Sequence, residues 1–280
     1  MATTTGGLKP HLIQLTDDEF NKLSSFVKSR YGIDLTQKRT LIEGRLTHDL
    51  RSRGISSFQE YLKVLNNDTT GTEITNLLNR LTTNLSYFMR ENEHFDFMTK
   101  TMLPNWEHTK NVKDLRIWSA GCSAGQEAYT TQMVIHDYFG PRKASWDTTI
   151  LATDISMKAL TKAREGIYPL DDIKDIPPVW KSKYFVQVPG GLQVTEKIRK
   201  EVVFRTFNLM DNFSFKKPFD LIFCRNVMIY FDTATKTELV KKFYDWLAPG
   251  GYFFISHSES LNGLGSQFKY IHPAIYQKQV

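Results

Sequence analysis

The stretch Leu115–Thr130, LRIWSAGCSAGQEAYT, constrains this chain more than any other. An apolar run, Leu115–Trp118, gives way to small residues, Ser119–Gly125, and then to a helix-compatible segment from Gln126. That order reads as strand, tight glycine-bearing turn, helix. Glycine admits positive φ and lets a ligand approach the backbone where a Cβ would stand in the way. The helix start that follows aims unpaired N–H groups at such a ligand. Gly121 and Gly125 are spaced G-x-x-x-G, so the dinucleotide fingerprint G-x-G-x-x-G is not matched. The turn by itself is also compatible with plain strand–helix packing, and the residues downstream decide between the two.

With 280 residues, 41% of them hydrophobic and 24% charged, the chain has room for two domains and a sizeable core. Its two cysteines, Cys122 and Cys224, supply neither a disulfide framework nor a metal-ligand pattern, so no metal is expected. No apolar run approaches the roughly 18 residues of a spanning helix, which argues against membrane insertion. Met1–Pro10 is polar and threonine-rich and lacks the apolar region of a signal peptide. These features predict a cytoplasmic protein with a disordered start. The net charge of +6 is modest and spread along the chain, as a solvated surface or an acidic partner would both require.

Residues 11–90 read as an N-terminal helical domain and linker. Thr16-Asp-Asp-Glu19 is a capping box, with Leu15 and Phe20 placed as a hydrophobic staple. Phe20, Leu23, Phe26 and Val27 follow at helical spacing, and Gly32 ends the helix. Thr36 is placed to cap a second helix reaching Arg51–Arg53, stopped by Gly54. Ser57-Phe-Gln-Glu60 is a further capping box, and Ile74, Leu77, Leu78 and Leu81 share one face of a fourth helix. The second helix carries Lys38, Arg39, Arg45, Arg51 and Arg53 against only Glu43 and Asp49. Such a face is either merely solvated or a docking surface, centred on Arg45, Arg51 and Arg53, for an acidic macromolecule.

From about residue 112 strands and helices alternate, and the class becomes α/β. Expected strands are Leu115–Trp118, Thr149–Ala152, Val202–Phe207, Phe219–Phe223, Tyr252–Ser256 and a closing pair, Phe268–Ile271 with Ala274–Gln277. Pro249-Gly250-Gly251 should stop the helix over Thr233–Leu247. Tyr184–Val188 and Leu192–Thr195, flanking Pro189-Gly190-Gly191, break the alternation and predict a projecting hairpin.

Polar residues stand at successive strand ends: Glu127 after the glycine turn, then Asp154, Asn208 and Arg225-Asn226. In an open α/β sheet that edge binds ligands, and a carboxylate after the second strand is the natural partner of two ribose hydroxyls. Asp154 lies 29 residues past Gly125, later than the roughly 20 of dinucleotide folds but at the equivalent strand end.

These segments resemble the CheR family of chemotaxis receptor methyltransferases. The resemblance is carried by LTTNLSYFMRE, WSAGCSAGQEAYT, ATDIS, FNLM, FDLIFCRNVMIYF and LAPGGYFFISHSE, which span residues 81–260. It implies a class I methyltransferase (Rossmann-like) α/β sheet over residues 91–280, with the helical domain before it and a small antiparallel β subdomain at about 184–200. It implies S-adenosyl-L-methionine as cofactor, S-adenosyl-L-homocysteine as product, and glutamate side chains on cytoplasmic chemoreceptor helices as substrate. By motif, Asn84, Ser86 and Arg90 match the family's cofactor-contacting linker, and Gly121 belongs to its glycine turn. Glu127 and Asp154 match its acidic contacts, and Asn208-Leu209 and Arg225-Asn226 its adenosine and methionine contacts. Tyr230 matches the tyrosine near the transferring methyl, so Arg90 and Tyr230 are the expected catalytic pair. Gln126 stands where an acidic residue is common, with Glu127 retained beside it.

Two other readings remain open. A nucleic-acid methyltransferase would suit a pI of about 9.1, but enzymes acting on exocyclic amines carry Asn/Asp-Pro-Pro-aromatic where this chain has Arg225-Asn226-Val227-Met228. A non-catalytic cofactor-binding signalling module is the other, against which the full cofactor set with Tyr230 argues. The resemblance finally implies that enteric relatives capture a receptor's C-terminal pentapeptide on the hairpin as an added strand. Here the hairpin loop is short and Pro189 lacks an N–H, so pentapeptide tethering is not expected.

Overall fold

A computed structural model describes residues 13–82 and 86–279, in two units, Met1–Thr83 and Asn84–Val280. In the first unit Thr16 opens helix α1 (Asp17–Tyr31): its side chain accepts from the Glu19 N–H, and the Glu19 carboxylate accepts from the Thr16 N–H at 2.9 Å. The other Glu19 oxygen accepts from the Gln59 N–H at 2.7 Å, so one box also ties down a distant helix start. Helix α2 (Arg39–Ser52) begins later than Thr36 promised. Thr36 turns back onto Asp34 instead, its hydroxyl donating at 2.7 Å, and a side chain satisfied locally cannot cap. Helix α3 (Phe58–Asn66) is capped by Ser57, but Glu60 reaches the Ser56 N–H at 2.8 Å, so only half of the expected box forms. Helix α4 (Thr72–Leu81) starts at Gly71, where the Asp68 carboxylate accepts from the N–H groups of Glu73 and Ile74. The interior of this unit is built from Leu23, Val27, Ile42, Leu46, Leu50, Leu65 and Leu77.

The second unit opens with a helical run that the strand–helix alternation gave no hint of: α5 (Glu93–Phe97), a π-helical stretch (Met98–Met102) and α6 (Leu103–Thr109). A sheet follows, built from β1 (Ile117–Ala120), β2 (Ile150–Asp154), β6 (Val202–Thr206), β7 (Phe219–Phe223), β8 (Leu247–Phe254), β9 (Lys269–His272) and β10 (Ile275–Gln277). Its order is β6-β2-β1-β7-β8-β10-β9. All neighbouring pairs are parallel except those of β10, which lies antiparallel to both β8 and β9. Helices α7 (Gln126–Phe139), α8 (Met157–Glu165) and α11 (Thr233–Trp246) connect the strands. Strand order turns between β1 and β7, and their carboxyl ends therefore border a crevice. Trp118, fully buried on β1, packs its ring against Phe213, Phe215, Phe219 and Phe243.

Pro249-Gly250-Gly251 does not separate α11 from the next strand: β8 runs through it from Leu247. Its register against β7 slips between Phe219 and Leu221, and a proline is tolerated in a strand at such an irregularity.

The hairpin is part of a second sheet. β3 (Ile167–Tyr168), β4 (Phe185–Val188) and β5 (Gly191–Val194) pair antiparallel in the order β3-β5-β4, with α9 (Pro178–Tyr184) and α10 (Glu196–Arg199) at its ends. Gly191 pairs with Val188, so the turn has two residues, Pro189 and Gly190, rather than three. Gly191 has φ +149°, and a Cβ there would stand 2.1 Å from the Tyr168 carbonyl oxygen. The close approach of β3, which leaves no hairpin signal, explains that glycine.

Candidate functional site

Four non-glycine residues of the crevice region hold positive φ: Met89, Glu91, Ser123 and Asn226. Such backbone persists only where its surroundings over-determine it, and it concentrates at functional sites. Around the glycine turn the reason is visible. The N–H groups of Gly121 and Cys122 both donate to the Thr153 carbonyl, and the Ser123 N–H donates to Asp154 at 2.8 Å. The other Asp154 oxygen accepts from the Ser156 N–H at 2.8 Å, at the cap of α8. Asp154 is thus held by backbone amides from both sides. Among the described residues no cation pairs with it, and burial pushes its carboxyl above the usual range. Gly121 is explained by packing as well as by its φ of +87°, since a Cβ would collide with Val227.

Glu127, in the first turn of α7, accepts from the Ser119 hydroxyl at 2.6 Å and faces Arg225 Nη1 at 3.3 Å. Burial raises its carboxyl, with Arg225 pulling the other way. Arg225, only 2% exposed, also meets Glu91 at 3.2 Å and donates to the Arg90 carbonyl. All of its nitrogens with a described partner therefore serve to brace Glu127 and the segment carrying Arg90. Arg90 itself lies over the Tyr87 ring at 5.4 Å. That segment is anchored by Phe88, which is buried edge-on against Tyr168 and Phe185, and by the Met89 N–H donating to Thr130.

On the other side, Asn226 donates from Nδ2 to the Ser256 hydroxyl at 2.7 Å, and that hydroxyl donates to Glu91 at 2.8 Å. Glu259 accepts from the N–H groups of Asn226, Ile229 and Ser256. Tyr230 ends the short 3-10 turn that follows Asn226 and is half-buried. Asn208 accepts from the Met210 N–H at 3.1 Å just past β6, beside buried Leu209. Asn84 lies outside the described residues; Ser86 is described and half-buried. Sequence reasoning missed Glu91, Ser119, Ser256 and Glu259; only Glu91 and Glu259 had a signal, as charged residues inside the quoted segments.

Glu91, His94 and His257 offer ligand atoms within 4.8 Å of one another. Arg225 and Ser256 already engage the Glu91 carboxylate, and a metal there would face the Arg225 guanidinium. His94 is fully buried, stacked on Phe254 with the His257 ring tilted against it at 5.3 Å, and burial followed by Arg225 pushes its pKa down to about 2.

In the first unit the three arginines expected to centre a docking face are all exposed. Arg53 is held by Glu73 through two hydrogen bonds and by Asp49 at 3.2 Å. Arg45 donates to the Arg80 carbonyl at 2.8 Å and to that of Thr82, at the carboxyl end of α4. Arg51 is exposed.

A sheet of this order, with an acid opening the helix after the glycine turn and another ending the second strand, defines a class I methyltransferase using S-adenosylmethionine. The residues suit that cofactor: among the described residues Asp154 faces no cation and its remaining lone pairs can accept from hydroxyls, and a carboxylate-rich crevice favours a ligand bearing a sulfonium and an amine. The chain belongs to the CheR family: "CheR methyltransferase, all-alpha domain" matches residues 18–82 and "CheR methyltransferase, SAM binding domain" residues 84–276. It is 42% identical over 272 residues to a chemotaxis protein methyltransferase of Borreliella burgdorferi, covering 95% of this chain and 96% of that one. It is 35% identical over 263 residues to the Escherichia coli protein of the same description, covering 91% and 89%. No described helix is long and apolar enough to cross a membrane.

Proposed function

We propose that this methyltransferase esterifies glutamate side chains on the cytoplasmic helices of chemoreceptors, working in the cytoplasm. The observation that carries the reading is that, among the described residues, each of the four crevice carboxylates named above already has a partner. Glu91 and Glu127 face Arg225, while Asp154 and Glu259 grip backbone amides. None is poised as a general base, and a glutamate substrate needs none: its side chain ordinarily titrates at about 4.3 and is ionised near neutral pH. The bound cofactor supplies a methyl on a sulfonium, whose departure leaves a neutral thioether. The protein's part is placement and exclusion of water. In this reading Asp154, Glu127, Asn208, Leu209 and Asn226, with Asn84 and Ser86, hold the cofactor. Arg225 holds Glu127 and the Arg90 segment in place, Arg90 orients a carboxylate, and Tyr230 lines the methyl path.

The test is transfer of labelled methyl to receptor-containing membranes. Label released as methanol by mild alkali marks an ester; alkali-stable label, or label found only on nucleic acid, overturns the reading. For recognition we propose the exposed part of the α2 basic face, and not a C-terminal pentapeptide. The two-residue turn at Pro189–Gly190 supports the second half of that statement.

A further inference from the structure

Glu259 lies outside every motif role assigned above, yet no other carboxylate of the site holds as many described backbone amides. One oxygen accepts from the Ser256 N–H at 2.8 Å and the Asn226 N–H at 3.1 Å, and the other from the Ile229 N–H at 3.2 Å. Among the described residues no cation neutralises it, and burial raises its carboxyl against the pull of those amides. Along the gripped stretch Asn226 sits at φ +60°, and the 3-10 turn Met228–Tyr230 follows. The Asn226 side chain is tied to the same place through Ser256, whose hydroxyl continues to Glu91. Asp154 works in the same way at the glycine turn, a carboxylate across two loop amides.

We propose that Glu259 is a positioning residue for methyl transfer: its carboxylate clamps the Asn226–Tyr230 loop and thereby sets Asn226 and Tyr230 against the crevice. This rests on the roles given to those two residues under the proposed function. The clamp needs an ionised carboxylate. A glutamine in its place offers one acceptor oxygen and turns an NH2 toward N–H donors, so at least one set of amides is released.

The test compares Glu259→Gln with wild type in three measurements: amide hydrogen exchange, S-adenosylmethionine affinity by calorimetry, and steady-state methyl transfer. Protection should fall at the amides of Asn226, Ile229 and Ser256. kcat should fall about tenfold to a hundredfold, the scale of a small misplacement, cofactor affinity should fall with it because Asn226 is released, and receptor KM should change far less. In a double-mutant cycle with Tyr230→Ala the losses should not add, because both act through one loop. Unchanged protection overturns the clamp, and lost protection with intact kcat overturns the positioning role. If Tyr230→Ala alone leaves turnover intact, the role given to Tyr230 fails, while lost protection and lower kcat in Glu259→Gln still support the clamp through Asn226. Should Glu259→Gln not fold, Glu259→Asp replaces it: one methylene shorter, it keeps the charge and must still loosen the same amides.

Discussion

Asp154 and His94 are both buried titratable groups, and they answer to pH and ligand in opposite ways. Asp154 keeps acceptor capacity toward the crevice after two backbone amides have been satisfied. Asp154→Ala should therefore weaken S-adenosylmethionine binding by about 1.5–3 kcal/mol, the range for hydrogen bonds to a charged group. Calorimetry giving wild-type affinity in a folded variant would remove Asp154 from the cofactor site. His94 is a base whose pKa falls from 6.5 to about 2 on folding. Between those values the unfolded chain binds a proton that the folded one refuses, despite Glu91 at 3.7 Å. Stability attributable to His94 is complete above about pH 6.5 and drops by about 1.4 kcal/mol for each unit below it. Denaturant titrations of wild type and His94→Leu from pH 7 to 5 should show a shallower acid loss in the variant; parallel curves would mean that the ring is protonated in place.

At the scale of elements, the small sheet depends on one glycine. With φ +149° and the Tyr168 carbonyl where its Cβ would be, Gly191→Ala has to push β3 away from β5. A cost of about 1–3 kcal/mol is expected, the range for overpacking, with hydrogen-exchange protection lost over β3–β5 and the main sheet unaffected. Gly190→Ala is the comparison. Its Cβ meets nothing within 4 Å, and only its positive φ is penalised, at about 1 kcal/mol. Equal effects at the two positions would contradict the close approach of β3. In the helical unit, Arg53 and Arg45 are exposed and also hold structural partners, so substituting either changes more than surface charge. Arg53→Glu would set a third carboxylate against Glu73 and Asp49 and destabilise the helices, so it is a poor probe of docking.

For the whole molecule, the question is how the enzyme reaches its receptor. Arg51→Glu, at an exposed position, should raise the apparent KM for receptor several-fold and flatten its dependence on salt, leaving cofactor affinity unchanged. Unaltered turnover on receptor at every salt concentration would place docking elsewhere. A free receptor C-terminal pentapeptide should show no saturable binding in calorimetry at micromolar concentration. β4 is an edge strand with an exposed Val186, so an added strand has a backbone to pair with. The two-residue turn and the missing N–H of Pro189 limit its length. Saturation at the hairpin would show that turn length does not govern recognition.

Local chemistry made part of this legible in the chain alone. The Thr16 cap, the glycine turn and the carboxylate at the end of β2 depend on residues a few positions apart, and they form as the sequence predicts. Where two local partners compete, the sequence does not choose between them: Thr36 met Asp34 before it could cap α2. Much of what braces the crevice is remote. Arg225 finds Glu91 at a separation of 134 residues and Glu127 at 98, and Glu259 holds the Asn226 amide across 33. A buried charge must be matched by an opposite charge or by amides, so the sequence announces that Arg225 will have partners. Which groups arrive, and in what orientation, follows from the order in which strands β1, β7 and β8 lie side by side, and that only the packed sheet decides.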